Sequence, residues 1–436
     1  MGRGIHDILQ EWKENDMNYY AERREKIAAV MSDRSALILY SGAAPHFSED
    51  EYFPFEVNHH FHWMTGMDRP KQALMIRKNG EKVTEILFIE EPDPGMERWI
   101  GKMPTKEQAA QTSGISDVRL IGDMDAAIGQ AMDRFGVERL YMDVYRYDIT
   151  DLADYNLAQA LRLQQLYPAV LLSPLRPLIA PLRAEKDEEE LRLMRRAGEI
   201  TGQSLEEVMR HLRPGMKEYQ VQAVFEGSCR YLGAEAQAFP TIAAGGKNAC
   251  SMHYEENRDT LEEGSLILLD LGAKYHHYCS DISRTYPVSG TFTPRQREIY
   301  DLVLAANRAV AEAAAPGMQI RKLGEIADKV LADGLIALGM IGKPEELRKY
   351  LPHGVSHPLG MDTHDIMPAD GILQPGWVIT DEPGLYIDEE GFGIRIEDDL
   401  LITEDGCEVL SAGIIKEAEE IEEFMKKARL CSGEEA

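Results

Sequence analysis

The chain has 436 residues, long enough for two domains with full cores, and carries a formal net charge of −28. Nucleic acid and anionic membranes both demand positive surface, so that charge excludes them as partners. No stretch is long and apolar enough to span a bilayer.

Met1-Gly2-Arg3-Gly4-Ile5-His6-Asp7 leads into charged residues instead of an apolar core, so no secretory signal is expected. A charged helix is predicted over Arg23–Met31, then strands at Ala36–Tyr40, Ala73–Ile76 and Ile86–Ile89, and helices at Asp123–Phe135 and Asp151–Leu166. That mixture predicts a small α/β domain over residues 1-178. Within it, His60 and His62 of Asn58-His59-His60-Phe61-His62-Trp63 share one side of a predicted strand, and no metal is expected there. Trp99 is read either as a loop residue that closes a neighbour's pocket or as a buried ring.

Pro174, Pro177 and Pro181 mark a linker, after which a second domain is expected over residues 179-436. Lys186-Asp187-Glu188-Glu189-Glu190 opens a long helix whose first-turn acids complement the dipole, and Leu191, Met194, Ala197, Leu205, Val208 and Leu212 form its core stripe. Further helices are predicted over Pro294–Ala314 and Ile320–Leu338, and a terminal helix with a frayed end after Ile415. The odd set Cys229, Cys250, Cys279, Cys407 and Cys431 has no close-pair spacing, which fits a reducing compartment.

Two hairpins carry the chemistry. Leu266–Asp270 reads as a buried strand and Tyr278–Ser283 as its partner around a turn near Tyr275-His276, which puts Asp270 almost opposite Asp281. Trp377–Glu382 and Ile394–Glu397 repeat the construction around Glu389-Glu390, which puts Glu382 opposite Glu397. A carboxylate in a strand is usually a solvated outward residue, but four at mirrored positions of two apolar hairpins are hard to read as surface. Buried together they repel unless a cation lies between them, so divalent metal is expected. Between the hairpins lie His353, His357 and His364; Pro358 and the neighbouring glycines favour a loop there, so spacing alone is a weak metal signal.

The segments Leu268-Leu269-Asp270-Leu271-Gly272, Ser280–Thr285, His353-Gly354-Val355-Ser356-His357, Asp381–Tyr386 and Gly393–Asp399 closely resemble the signature blocks of the pita-bread metallopeptidases, and among them the aminopeptidase P branch. The likeness extends through Pro240-Thr241-Ile242 to His253-Tyr254 and upstream from Glu51-Tyr52 to Thr65-Gly66, nearly the whole chain. It implies an α/β (α+β) fold: a C-terminal pita-bread catalytic domain with pseudo-twofold halves, preceded by a smaller mixed α/β domain serving oligomerisation and active-site access. It implies two divalent metal ions, with Mn²⁺ favoured by carboxylate-dominated ligation and Co²⁺ or Zn²⁺ able to substitute. Asp270 would chelate one, Asp281 and Glu397 would bridge both, His357 would bind the second and Glu382 would complete it.

The implied activity is release of the N-terminal residue from peptides with proline second, by metal-bridged hydroxide attack on the Xaa-Pro carbonyl. Glu382 would move the proton, His253 and His364 would flank the substrate, His353 would position the proline side, and Arg395 would orient Glu397 or Asp281. Two alternatives stay open: a prolidase using the same ligands on dipeptides alone, and a non-catalytic peptide-binding homologue. A cytoplasmic homodimer or homotetramer with peptide substrates is expected. The chain departs from the family pattern at Asp381, commonly apolar, at Pro358, commonly aromatic, and at Ile366–Asp370, which lacks a basic residue.

Overall fold

An apolar run of six residues, Ser35–Tyr40, forms the buried strand β1 around which the first of two units is built. The structure, a computed structural model, describes residues 19–431. The chain divides into Met1–Leu182 and Arg183–Ala436. The first unit runs helix α1 (residues 19–30), β1, α2 (His59–Thr65), β2 (Ala73–Asn79), β3 (Lys82–Ile89), α3 (Glu97–Ile100), α4 (Lys106–Ser113), β4 (Val118–Leu120), α5 (Met124–Gly129), β5 (Arg139–Met142), α6 (Tyr155–Leu166) and β6 (Leu171–Pro174). Helix α7 (Arg176–Ala184) follows and crosses the division. One sheet, ordered β4-β3-β2-β1-β5-β6, is antiparallel at β1–β2 and β2–β3 and parallel elsewhere. Ile38, Met75, Phe88, Ile128, Leu140 and Leu163 belong to its core, where apolar burial supplies the main folding force.

The second unit contains α8 (Glu188–His211), α9 (Glu218–Tyr231), β7 (Ala236–Gln237), β8 (Ile242–Gly245), β9 (Leu266–Leu271), β10 (Ala273–Tyr275), β11 (Tyr278–Cys279) and β12 (Ile282–Pro287). It continues with α10 (Pro294–Ala313), α11 (Arg321–Ala337), β13 (Val378–Asp381), β14 (Gly384–Ile387), β15 (Phe392–Arg395), β16 (Asp398–Ile402), β17 (Cys407–Val409) and α12 (Ala418–Cys431). A helix pair followed by a carboxylate hairpin thus occurs twice, the two similar halves expected of the pita-bread arrangement. Helix α8 begins with a reciprocal cap, Asp187 accepting from Glu190 N and the Glu190 side chain accepting from Asp187 N, which satisfies two of the helix's orphan donors. Its inner stripe, including Leu205, Val208 and Leu212, joins a core with Ile267, Leu269, Ile299, Leu335 and Ile394.

Several expectations change. Residues 59–65 form a helix, capped by the Asn58 side chain, so His60 and His62 are not strand neighbours. Pro177 and Pro181 lie in α7, so that stretch is helical and not a linker. Helix α6 starts at Tyr155, where Asp154 caps it, four residues after the predicted start. Trp99 is 85% exposed. The frayed end expected beyond α12 and the expectation about Met1–Asp7 both concern residues outside those described.

Candidate metal centre

The turn of the first hairpin is His276-His277, both at positive φ (47° and 69°), with Tyr275 paired to Tyr278. Two such residues give the turn twist that suits a two-residue hairpin. The register set there continues into β9 and β12, where Asp270 faces Ser283. Asp281 is therefore diagonal to Asp270 and not opposite it, two pairs nearer the turn, where it faces Gly272. At that point the strands close in: a Cβ on Gly272 would stand 1.8 Å from the carbonyl oxygen of Ser280, so only glycine fits.

In the second hairpin Gly384 pairs with Arg395, and beyond an interruption Asp381 pairs with Asp398. The register is the same in both ladders, so Glu382 and Glu397 occupy facing positions in the gap between them. Glu382 N donates to Val355 O and Glu397 N to Ser283 O, which ties this hairpin to the histidine loop and to β12.

His357 is fixed at both ends. Its backbone N donates to Thr380 Oγ1, and its Nδ1 donates to Pro358 O at 3.1 Å, leaving Nε2 as the ligand atom. Nε2 lies 3.4 Å from Asp281 Oδ2 and 3.6 Å from Glu382 Oε1. Ligand atoms of Asp281, His357 and Glu397 all fall within 4.8 Å of one another, a grouping able to hold a metal ion. Burial opposes protonation of His357, but hydrogen bonding and charge from Asp281, with Glu382, outweigh it and push the imidazole up to about 9.

The carboxylates show the same conflict. Burial pushes Asp270 up to about 6 against the pull of Arg395, and Glu382 up to about 7 against His357 and Arg395. Burial, then the charge of Asp281, raises Glu397 well above its ordinary range. Asp270 Oδ1 is buried and lacks a hydrogen-bond partner. An orphan acceptor among mutually repelling carboxylates and one oriented imidazole fits divalent metal.

Arg395 organises this set. Its Nη2 donates to Asp270 Oδ2, its Nε to Ser283 Oγ at 2.7 Å and its Nη1 to Tyr386 OH at 2.7 Å. Ser283 Oγ donates onward to Glu397 Oε2 at 2.7 Å. Arg395 therefore reaches Glu397 through Ser283 and touches Asp270 directly, while its expected contact with Asp281 is not made. Tyr386 OH meets His353 Nε2 at 2.7 Å, and burial with the charge of Arg395 lowers His353 to about 4. Neither Ser283 nor Tyr386 is among the residues expected at the site, although Ser283 lies two residues after Asp281 and so on the same strand face.

Asp270, Asp281, His353, His357, Glu382, Arg395 and Glu397 line a cavity of 540 Å³ together with Phe239, Pro240, Ile242, Met252, His253 and His364. The His364 ring packs on His357 with centroids 4.1 Å apart. The loop between them is anchored by Asp365, whose carboxylate meets Arg183 at 2.6 Å and Lys186 at 3.0 Å with all three side chains buried. Pro358 is buried and absent from the cavity wall; its carbonyl also accepts from Asp365 N. Asp381 turns away from the centre, where Asn307 Nδ2 donates to its Oδ2 at 3.1 Å.

The fold and centre define a metallopeptidase class: the model of metallopeptidase family M24 matches residues 192–404, and the aminopeptidase P N-terminal domain matches residues 20–141. A Xaa-Pro aminopeptidase of Escherichia coli strain K12 is 34% identical over 434 residues, covering 94% of this chain and 98% of the relative. A Bacillus anthracis structure described as an aminopeptidase P is 42% identical with a TM-score of 0.93, covering 95% of this chain and 99% of that one. A zinc-substituted E. coli aminopeptidase P in complex with product is 32% identical with a TM-score of 0.86, over 95% and 99% of the two chains. The chain belongs to the Xaa-Pro aminopeptidases of family M24.

Proposed function

We propose that this centre releases the N-terminal residue from peptides with proline at the second position. The observation that carries the reading is the convergence of Asp270, Asp281, His357, Glu382 and Glu397 on one cavity wall, where buried carboxylates outnumber facing cations. Two divalent ions would be held there, Mn²⁺ suiting a set of carboxylates with a single imidazole. In this reading Asp281 and Glu397 would serve both ions, and Asp270, His357 and Glu382 would each serve one. Bound divalent ions supply an acidified water and Lewis-acid polarisation of the scissile carbonyl.

The chain's own groups do the rest. A bond preceding proline is a tertiary amide without N–H, and its nitrogen leaves only once protonated. Glu382 is the group to deliver that proton: it stands on the cavity wall with its side chain 18% exposed, whereas that of Asp281 is 5% exposed. His253 and His364, on the cavity wall, flank the reacting carbonyl. His353, kept neutral and oriented by Tyr386, borders the proline side. Arg395 is the positioning residue for Asp270 and, through Ser283, for Glu397.

A cytoplasmic homodimer or homotetramer completes the reading, with the first unit serving oligomerisation and access; five free cysteines suit a reducing compartment. Among the described residues no helix is long and apolar enough to cross a membrane. The test compares an Xaa-Pro dipeptide with an Xaa-Pro-Xaa tripeptide after chelation and after Mn²⁺ addition. Tripeptide cleavage should vanish on chelation, return with Mn²⁺, and fall at least ~100-fold in Asp281→Ala. Activity that survives both chelation and that substitution sinks the metal mechanism, and cleavage of the dipeptide alone reassigns the substrate to dipeptides.

A further inference from the structure

His253 lines the cavity from an irregular segment, and its ring is exposed. Among the described residues no hydrogen bond reaches that ring, so its position depends on the backbone that carries it. That backbone is held from behind by one face of α9. Glu218, Gln222 and Glu226 are spaced four apart, so they form a single stripe along the helix.

Each member of the stripe grips a different part of residues 241–259. Glu218 is fully buried, and four donors converge on its two oxygens: Gly245 N at 2.7 Å and Asn248 Nδ2 at 3.0 Å on Oε1, Tyr254 OH at 2.8 Å and Asp259 N at 2.8 Å on Oε2. Four bonds fill the acceptor capacity of a carboxylate. Gln222 Oε1 accepts from Asn257 Nδ2 at 3.0 Å, and Glu226 Oε1 accepts from Thr241 Oγ1 at 2.9 Å. Asn257 is buried at φ 43°, and it also bonds Thr241 O and Ala243 N. The loop thus leaves β8 and returns with both ends and its middle bonded to one helix.

A buried carboxylate is expensive unless its bonds are complete, and a structural helix–loop contact could be made with apolar side chains at lower cost. What four directed bonds add is geometric definition of a loop that has no ladder of its own. We propose that Glu218 is a positioning residue for the reaction: through Tyr254 it fixes the adjacent His253 against the cavity while leaving the metal ligands alone. The proposal rests on the role given to His253 above.

The variants are Glu218→Gln and the milder Tyr254→Phe, each alone and combined with His253→Ala. Tyr254→Phe removes one donor and no backbone bond, so it stays informative where Glu218→Gln does not fold. The expected result is a fall in kcat of about tenfold for either variant on an Xaa-Pro-Xaa peptide, Mn²⁺ affinity unchanged, and faster amide exchange over residues 246–256. In the His253→Ala background neither variant should slow the enzyme further, because the group they position is gone. Equal slowing in both backgrounds, or Mn²⁺ affinity that falls in step with kcat, overturns the proposal. A wild-type rate for His253→Ala alone refutes the role of His253 itself and leaves the metal reading standing.

Discussion

At the scale of single residues, the centre holds more buried negative charge than the protein can neutralise. Asp270 moves from 3.8 to about 6 and Glu382 from 4.5 to about 7, chiefly through burial. Both side chains are less than one-fifth exposed, so each shift corresponds to a penalty on the order of 3 kcal/mol for the ionised form. The sign follows from the direction. A carboxyl raised in the folded state contributes fully below its unfolded value near 4, and that contribution is lost as pH rises through 6 to 7. Chelated protein should therefore lose stability between about pH 4 and pH 7, while metal, which needs deprotonated ligands, binds better over the same interval. Thermal unfolding of chelated and Mn²⁺-loaded enzyme should show a rise in Tm on loading that is several degrees larger at pH 8 than at pH 5. Equal increments at the two pH values would refute this electrostatic account. The four carboxylates proposed as ligands are legible in the amino-acid sequence because their spacing in two apolar runs is local information. Ser283 and Tyr386 are not, because their roles depend on the reach of Arg395 across two hairpins.

At the scale of elements, legibility follows the length of each periodic run. Helix α8 can be read whole, from its acidic cap to Leu212, since core contacts recur every three to four residues over 24 positions. Short strands such as β5 and β6, of four residues each, go unpredicted because four residues do not separate a strand from a buried turn of helix. The turn expected for the first hairpin is off by one residue, which moves the partner of Asp270 by two, since the turn falls on His276-His277, which lack the Asn-Gly signature of their conformation. The loop from His357 to His364 shows a further limit. Its anchor, Asp365, is recognisable only once Arg183 and Lys186 arrive from 182 and 179 residues away. Removing that carboxylate takes the buried counter-charge from Lys186 and weakens the pairing of Arg183, which still meets Asp362 at 2.9 Å. Asp365→Asn should therefore destabilise the protein by about 3–5 kcal/mol in urea titration, with the histidine loop the first region to lose amide protection. A change below about 1 kcal/mol would mean that water reaches Arg183 and Lys186 and that the triad does not hold the loop.

For the whole molecule, charge is the property that outlasts the local geometry. The chain has 75 acidic against 47 basic residues, and among the described residues Arg395 is the only Lys or Arg on the cavity wall, already engaged by Asp270, Ser283 and Tyr386. Two divalent ions, held as proposed, would cancel the charge of Asp270, Asp281, Glu382 and Glu397, which would leave Glu255 on the wall and the acidic surface around it to set the field that an approaching peptide meets. A negative field focused on a cleft speeds the arrival of cations and slows that of anions, without altering the chemical step. The expected signature is in kcat/KM and not in kcat. For tripeptides with proline second and Lys or Arg at either end, kcat/KM should fall several-fold as ionic strength rises from about 0.01 to about 0.15 M, where the Debye length shortens from ~30 to ~8 Å. Neutral analogues should change little, and Glu-containing ones should rise. A salt response that is the same for all three charges would show that the net charge of −28 acts on solubility alone and does not steer substrate.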